Sequence, residues 1–576
     1  MQADRRPSRN GEGRLSGALT GLAGLLAVVC TATPAFGQAL EPDSLLAHVR
    51  YLASDALRGR EAGERGADSA AAYIARAMKA YDLTPLGKDG YLQPFDITLT
   101  VAIAPESRLV LRAGGEEREL KLYEEWLPFL FSGSGSLSGR VARAGYGLTD
   151  EAYEGLAGGE GDLILALESG VPQGYNPHAG GGATPRFKAT AARQHGADAV
   201  LITVPRIEVP QPGDPPHSVG IPAAQILEGD SIRAWLERED LEISLDARVE
   251  PVEATAYNVV GRLEGSDPHL AEEVIVVGAH YDHLGMGGPG SLAPDVEAVH
   301  NGADDNASGT ALLLGLARYY SQHPERRPGR SLVFVAFSAE EMGLIGSEYF
   351  VDHPPVPLER VAAMINFDMV GRLKEGRVQV FGTETAKEFT ALLDSLDAAS
   401  ELTLSRVGDG YGPSDQTSFY AHKIPVLHFF TGTHSEYHRP EDDWQLINAA
   451  GMAEVGELAM EVLDALGDRP QHLTLVEQER PTGGGGGYGP YLGTVPDFGE
   501  VEGGGLRLSA VRAGSPAEKA GLQAGDVVIR FGGREVTNIY DYTYALRAHS
   551  AGDTVTIKVH RGEQTVELTA VLARRQ

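Results

Sequence analysis

The sequence predicts an α/β protein: a mostly parallel, helix-covered central sheet, with a smaller α/β unit inserted early and a β-rich unit at the C-terminus. Three observations carry this. From Tyr257 to about Gly467 apolar strands alternate with helices, the texture of a sheet covered on both faces. The run PTGGGGGYG (481–489) is a flexible spacer by composition. At 576 residues the chain is too long for one core and suits about three or four domains.

The elements follow in chain order. Arg5, Arg6, Arg9 and Arg14 precede an apolar stretch, Leu15 to Cys30, and the small-x-small site Ala35-Phe36-Gly37. Residues 1–37 therefore read as a secretory signal peptide, and the protein as secreted or periplasmic. The apolar run is shorter than the roughly 20 residues that span a bilayer, so no stable membrane span is expected after cleavage. Residues 38–126 form the N-terminal part of the main domain. Leu46, Val49 and Leu52, then Ala70, Ile74, Ala77, Met78 and Tyr81, recur at helical spacing, with a turn at Leu57–Glu61 between them. Tyr91 to Leu122 is strand-like. The inserted unit, 127–251, carries the strand DLILALE (162–168), the helix FKATAARQHGA and the strand AVLITV (199–204).

The main domain resumes over 252–470. Its expected strands are Glu273–Ala279, Ser331–Ser338, Ala362–Met369 and Ile424–Thr431. Its expected helices are Ala307–Gln322, Gly343–Asp352, Ala386–Asp397 and Ala449–Leu466. A Gly-rich linker (471–489) leads to a final unit, 490–576, with a helix at Ile539–His549 and a hairpin containing Thr554–Val559.

A composition of 42% hydrophobic and 22% charged residues is that of a soluble globular protein. The net charge of −31 excludes nucleic acid and anionic membrane as partners, since both need a basic surface. Cys30 is the only cysteine, so the mature chain has no disulfide, no thiol nucleophile and no thiolate metal site. Any metal must be held by histidines and carboxylates.

Such residues gather just after the central strands. His280 and Asp282 follow the first strand, on one face by period-two alternation. Asp304 and Asp305 precede the next helix, Glu340 and Glu341 end SLVFVAFS, Asp368 ends AAMINF, and His438 follows IPVLHFFTG and its loop. In open α/β sheets the carboxyl ends of strands are where ligands bind. Two histidines and several carboxylates suit two divalent ions about 3.5–4 Å apart, with a shared carboxylate and a bridging water. One of the adjacent glutamates can ligate while the other serves as base.

The ordered set HYDHLG, NGADDNASG, FSAEEMGLIGS, INFDMVGR, GPSD and YHRPEDD resembles the dizinc aminopeptidase family of the bacterial leucyl aminopeptidases. Glutamate carboxypeptidase, the transferrin receptor and glutaminyl cyclase are relatives. The likeness covers residues 41–125 and 255–467 and implies the zinc-peptidase-like (phosphorylase-type) fold for the main domain. It implies two Zn2+ ions, with Mn2+ or Co2+ as alternatives. His280 and Asp368 complete one site, Glu341 and His438 the other, and Asp305 bridges. Glu340 is the implied general base, Asp282 the group holding His280 in its ligating tautomer, and Tyr411 the residue steadying the tetrahedral oxyanion. A cis peptide after Asp305 is a further family trait. Asp304 reads as a structural turn residue, and His283, His300, His422, His428 and His434 as structural or supporting groups.

Two further resemblances complete the reading. Phe187-Lys188, Gly196-Ala197, Val200–Val204 and Ile221-Pro222 resemble a protease-associated (PA) domain, of the kind that roofs an active site. Tyr491-Leu492-Gly493 and the run from Gly514 to Val528 resemble a PDZ domain, whose groove takes an extended peptide or a polypeptide C-terminus. The expected function is an exported aminopeptidase acting on peptide substrates. The alternatives are a carboxypeptidase or dipeptidase on the same scaffold, or a peptide-binding protein using its PA and PDZ modules with a residual peptidase core.

Overall fold

A computed structural model gives the fold for residues 40–156, 162–172, 184–209, 218–288, 290–293, 296–477, 490–496, 501, 503–512, 514–537, 539–549, 551–562 and 564–574. The expected signal peptide (1–37) and the Gly-rich run 481–489 lie outside these. The described residues belong to one compact unit.

The main sheet has nine strands, and its four inner strands are parallel. Val274–His280 lies between Ser331–Phe337 and Val361–Phe367, and Val426–Phe430 follows on the far side. The flanks are mixed: Val249–Leu263 pairs antiparallel with Ser331–Phe337, and Arg377–Phe381 antiparallel with Val426–Phe430. The inner strands read as unbroken apolar runs because both faces are covered. Leu312, Leu316, Phe389 and Leu463 pack on one face, and Phe350 and Phe419 on the other. All four expected strands and all four expected helices of this region form, with ends shifted by a few residues.

The second sheet has eight strands and covers residues 108–247. It takes in Arg108–Ala113 and Glu116–Leu120, which the sequence reading leaves in the segment before residue 127. Alternation marks those residues as strand but does not name their partner. The partner, Glu242–Ala247, is more than a hundred residues away and is met only on folding. Leu92–Ile103 and Val249–Leu263 form a long antiparallel ladder that carries the chain out to this unit and back.

The C-terminal unit has a six-stranded antiparallel sheet that contains the hairpin Thr554–Arg561 and Gln564–Val571, and a two-stranded pairing of Pro490–Tyr491 with Ala573–Arg574. Its helix Ile539–Arg547 packs on Pro185–Gln194 of the second sheet's unit, with Tyr544 edge-on to Phe187 at 5.2 Å and Asp541 paired with Arg193.

The turn between the first two helices, Pro42–Leu52 and Arg65–Ala80, reaches under the main sheet's edge. Arg58, Gly59 and Arg60 are all left-handed (φ 47°, 71° and 50°). Gly59 accepts a hydrogen bond from the Gly285 amide at 3.1 Å, and a Cβ there would lie 2.3 Å from the Gly285 carbonyl oxygen. Gly59→Ala is therefore expected to destabilise by more than about 2 kcal/mol, from the clash and the left-handed backbone. An unchanged urea midpoint would refute this.

Candidate metal centre

Each donor is placed by a strand end and a strained turn. His280 ends Val274–His280, and its carbonyl accepts from the Thr310 hydroxyl at 2.8 Å. Ala339, Met369 and His438, at or beside three of the donor positions, are non-glycine residues with φ of 57°, 51° and 53°. Such conformations cost about 1–3 kcal/mol each and persist where the surroundings dictate them. The surroundings are explicit. Asn306 donates to the Phe367 carbonyl, at 2.9 Å, and accepts from the Met369 amide, at 3.3 Å, on either side of Asp368. Asp442 accepts from the amides of Asp304 and Asp305 at 2.9 and 3.1 Å. The Asp305–Asn306 peptide is cis.

The side chains converge. His280 Nε2 lies 3.4 Å from Asp305 Oδ1, 3.5 Å from Asp368 Oδ1 and 3.8 Å from Glu340 Oε2. His438 Nε2 lies 3.2 Å from Asp305 Oδ2 and 3.3 Å from Glu341 Oε2. Two donor sets of the kind that can hold a metal ion result: His280, Asp305 and Asp368, and His283, Asp305 and Glu341. Asp305 belongs to both. His280 Nε2, His283 Nε2 and Asp368 Oδ1 are buried without a hydrogen-bond partner. Orphaned buried donors, His280 Nε2 and Asp368 Oδ1, beside a carboxylate that belongs to both sets fit a divalent ion, since an unpaired buried polar group is otherwise costly.

The expected donors His280, Asp305, Glu341, Asp368 and His438 are thus brought together. His283, read from the sequence as a supporting group, stands closer to the centre than that. Its Nδ1 lies 2.7 Å from Glu341 Oε1 and 3.8 Å from Asp305 Oδ2. Asp282 orients more than His280. Its carboxylate accepts from the amides of Glu340 and Glu341, at 3.2 and 3.3 Å, while its own carbonyl is the nearer partner of His280 Nδ1, at 3.3 Å. Asp304 behaves as a turn residue, accepting from the Gly371 amide at 2.7 Å. His438 Nδ1 donates to the Gly290 carbonyl at 2.8 Å, which leaves Nε2 for the cluster. The loop after Gly285 is pinned there too, by the Leu292 amide on the His438 carbonyl at 2.9 Å.

Tyr411 departs from expectation. Its ring lies beneath the Arg512 guanidinium, 4.3 Å from the ring centre, and edge-on to Tyr420. Burial raises its hydroxyl pKa, and the charges around it are Tyr420, Arg512, Asp409 and Glu477, not the metal cluster. Two residues of irregular loop, Gly412 and Pro413, separate Tyr411 from Ser414-Asp415, and spacing alone does not fix which way such a loop turns. The tyrosine among the carboxylates is Tyr437, stacked on His438 at 3.9 Å. Burial raises its phenol's pKa, and Asp305, Glu341, Asp368 and Glu340 raise it further. The sequence signal for it was adjacency to His438.

Electrostatics separate the carboxylates. Burial opposes charge on Asp305, yet the adjacent imidazoles of His280 and His438 hold it well below the usual carboxylate range. Burial pushes Glu340 well above that range, and the charges of Glu341, Asp415 and Asp368 add to the rise. Asp415, fully buried, is pushed up to about 7 by burial. Beneath the cluster sits Arg60, with no exposure to solvent. It donates to the carbonyls of Leu52, Tyr281 and Asn301, each at 2.6 Å, and of Gly302 at 2.9 Å. Burial pulls its pKa down to about 10, while Asp282, Asp305, Asp442 and Glu341 hold its charge in place.

The comparisons bear on this geometry. Residues 258–463 match the model of peptidase family M28. They are a peptidase family M28 domain. Residues 489–572 match the PDZ domain model and are a PDZ domain. Aminopeptidase YwaD of Bacillus subtilis is 29% identical over 286 residues, 47% of this chain and 57% of the relative. A probable zinc metalloprotease of Pyrenophora teres f. teres is 31% identical over 177 residues, 30% of this chain and 35% of the relative. The chain spans about half the length, or less, of these curated relatives. Among solved structures, BSAP, a zinc aminopeptidase from Bacillus subtilis, matches at 23% identity and a TM-score of 0.48, over 77% of this chain and 98% of that one.

Two outcomes follow for the M28 domain. Arg60→Met leaves four buried carbonyls without a donor and should cost about 3–5 kcal/mol in chemical unfolding. Arg60→Lys should recover little of it, because an ammonium lacks the planar fork. Zinc affinity should climb from pH 6 to 9. Burial lowers the His438 pKa, but the hydrogen bond to Asp305 and the charge of Glu341 raise it to about 9, so a proton must leave before an ion can bind. Competition with a chelator at several pH values measures this; a flat profile contradicts it.

Proposed function

We propose that the chain is an exported, zinc-dependent aminopeptidase that hydrolyses the first peptide bond of peptide substrates. One observation carries the reading: two donor sets share Asp305, and a buried glutamate beside them, Glu340, belongs to neither. His280 and Asp368 would hold one ion, Glu341 and His438 the other, with Asp305 between them and His283 supporting Glu341. Two zinc ions held there would polarise the scissile carbonyl and acidify a water, with manganese or cobalt as alternatives.

The chain's own groups supply the rest. Glu340, as a carboxylate whose proton affinity is raised by burial and by Glu341, takes the proton from the attacking water and returns it to the leaving amine. Asp282 holds the backbone of Glu340 and Glu341, so that one glutamate ligates while the other stays available. The Tyr437 hydroxyl, kept protonated by the carboxylates around it, donates to the developing oxyanion.

An acidic lining favours amino-terminal over carboxyl-terminal specificity. Glu340, Glu341, Asp368 and Asp415 cluster there, while two guanidiniums, those of Arg60 and Arg372, are engaged elsewhere. Arg60 is spent on four carbonyls, and Arg372 on Glu436 and the Leu446 carbonyl, both at 2.8 Å. Such a site attracts a substrate ammonium and repels a free carboxylate. Within this reading residues 1–37 direct export, 127–251 act as a PA-type roof, and the PDZ groove holds polypeptide tails.

Aminoacyl p-nitroanilides should be cleaved, a chelator should abolish cleavage and zinc should restore it. Activity that persists in the chelator sinks the proposal, as does equal cleavage of N-acetylated substrates. Glu340→Gln should lower kcat about 10³-fold with zinc still bound. In the same assay Tyr437→Phe should cost about 10²-fold in kcat, the size expected for one oxyanion donor.

A further inference from the structure

The PDZ domain meets the M28 domain at the very segment that walls the metal centre. Arg512, just after the strand Leu506–Val511, donates through Nη1 to Asp409 Oδ2 at 2.9 Å and lies flat over Tyr411 at 4.3 Å. Asp409 in turn accepts from the Tyr411 amide with its other oxygen, at 2.9 Å. Both partners of the ion pair are about four-fifths buried. A stacked, charge-assisted contact removed from solvent is worth more than a surface pair.

From Tyr411 the chain runs straight to the centre. Gly412 is tied in both directions to the Thr417 hydroxyl. Ser414 and Gln416 both accept from the Asn366 side chain, at 2.9 and 3.0 Å, two residues before the donor Asp368. Between them Asp415 is fully buried beside Glu340 and His280. On the PDZ side the Arg512 amide donates to the Gly493 carbonyl at 2.9 Å, in the Tyr491–Gly493 loop where a peptide carboxylate is expected to dock.

We propose that Arg512 is a positioning residue of the peptidase, through which the PDZ domain fixes the 408–416 segment against the metal centre. It touches neither substrate nor metal donors. Its effect passes through Asp409 and the Tyr411 ring to the backbone that seats Ser414, Asp415 and Gln416. This rests on the aminopeptidase reading for its kinetic readout only.

The test uses the full chain loaded with zinc. Arg512→Ala breaks the contact from the PDZ side. Asp409→Asn breaks the ion pair from the other side while keeping an oxygen for the Tyr411 amide. Each should lower kcat on a single-residue p-nitroanilide about tenfold, with KM within about twofold, because a small misplacement acts on turnover more than on binding. The double variant should be no worse than either single one, as expected for two halves of one contact. Zinc content should stay at the wild-type value, and both variants should remain folded at the assay temperature. Tyr411→Phe keeps the stacked ring and should retain nearly full activity. Amide exchange across 408–417 should rise in Arg512→Ala. Losses that multiply in the double variant, an unchanged kcat, or unchanged exchange each overturn the proposal. A wild-type chain inactive on the anilide sinks the aminopeptidase reading, and the exchange measurement then still decides the role of Arg512.

Discussion

The structure depends on a positive charge placed where no water reaches. The carboxylates of Asp282, Asp305, Glu340, Glu341, Asp368 and Asp415 are packed at one edge of the main sheet, Asp282, Asp305 and Asp415 buried and the other three partly so. Their mutual repulsion disfavours a folded centre. Arg60 lies under them with all its hydrogen bonds spent on backbone carbonyls, so its charge is left uncancelled by a direct carboxylate partner. The same four bonds tie the first helix and the turn after it to the HYDH and NGADD loops. One side chain thereby offsets charge and sets the distance between the loops that bear His280 and Asp305.

Strain is the second consequence of building a centre this way. Ala339, Met369 and His438 adopt left-handed backbone at or beside Glu340, Asp368 and the Asp305–Glu341 side of the cluster. None is glycine, so the turns are not free to relax into other shapes at low cost. Asn306 holds the Phe367–Met369 turn and Asp442 the Asp304–Asp305 turn by hydrogen bonds to backbone, which makes these two buried amide and carboxylate groups as much a part of the centre as the donors. Preorganised donors lose little entropy when an ion arrives, and that is where the strain is repaid.

The accessory units are arranged around this edge rather than strung behind it. The long ladder of Leu92–Ile103 and Val249–Leu263 carries the second sheet's unit, whose helix Pro185–Gln194 in turn meets the PDZ helix Ile539–Arg547. The PDZ domain also reaches the M28 domain through Arg512. It therefore meets two different partners.

Much of this was legible beforehand because it is local. Unbroken apolar strands, helical periodicity and the donors just after each strand are properties of short windows, and the ordered motifs placed His280, Asp305, Glu340, Glu341, Asp368 and His438 at one edge. What was not legible depends on residues far apart in the chain. The pairing of Arg108–Ala113 with Glu242–Ala247 joins the first of these to the inserted sheet. The approach of His283 to Glu341 and the turning of Tyr411 toward Arg512 rather than toward the centre were settled by loop geometry. Arg60 carried no signal beyond a turn, since its four acceptors are backbone atoms from three separate segments. The sequence by itself determined which residue types stand at the strand ends, because periodicity and spacing are written locally. Only the tertiary structure decided which of them share Asp305, which tyrosine faces them and which arginine lies beneath, because those are contacts between segments brought together by folding.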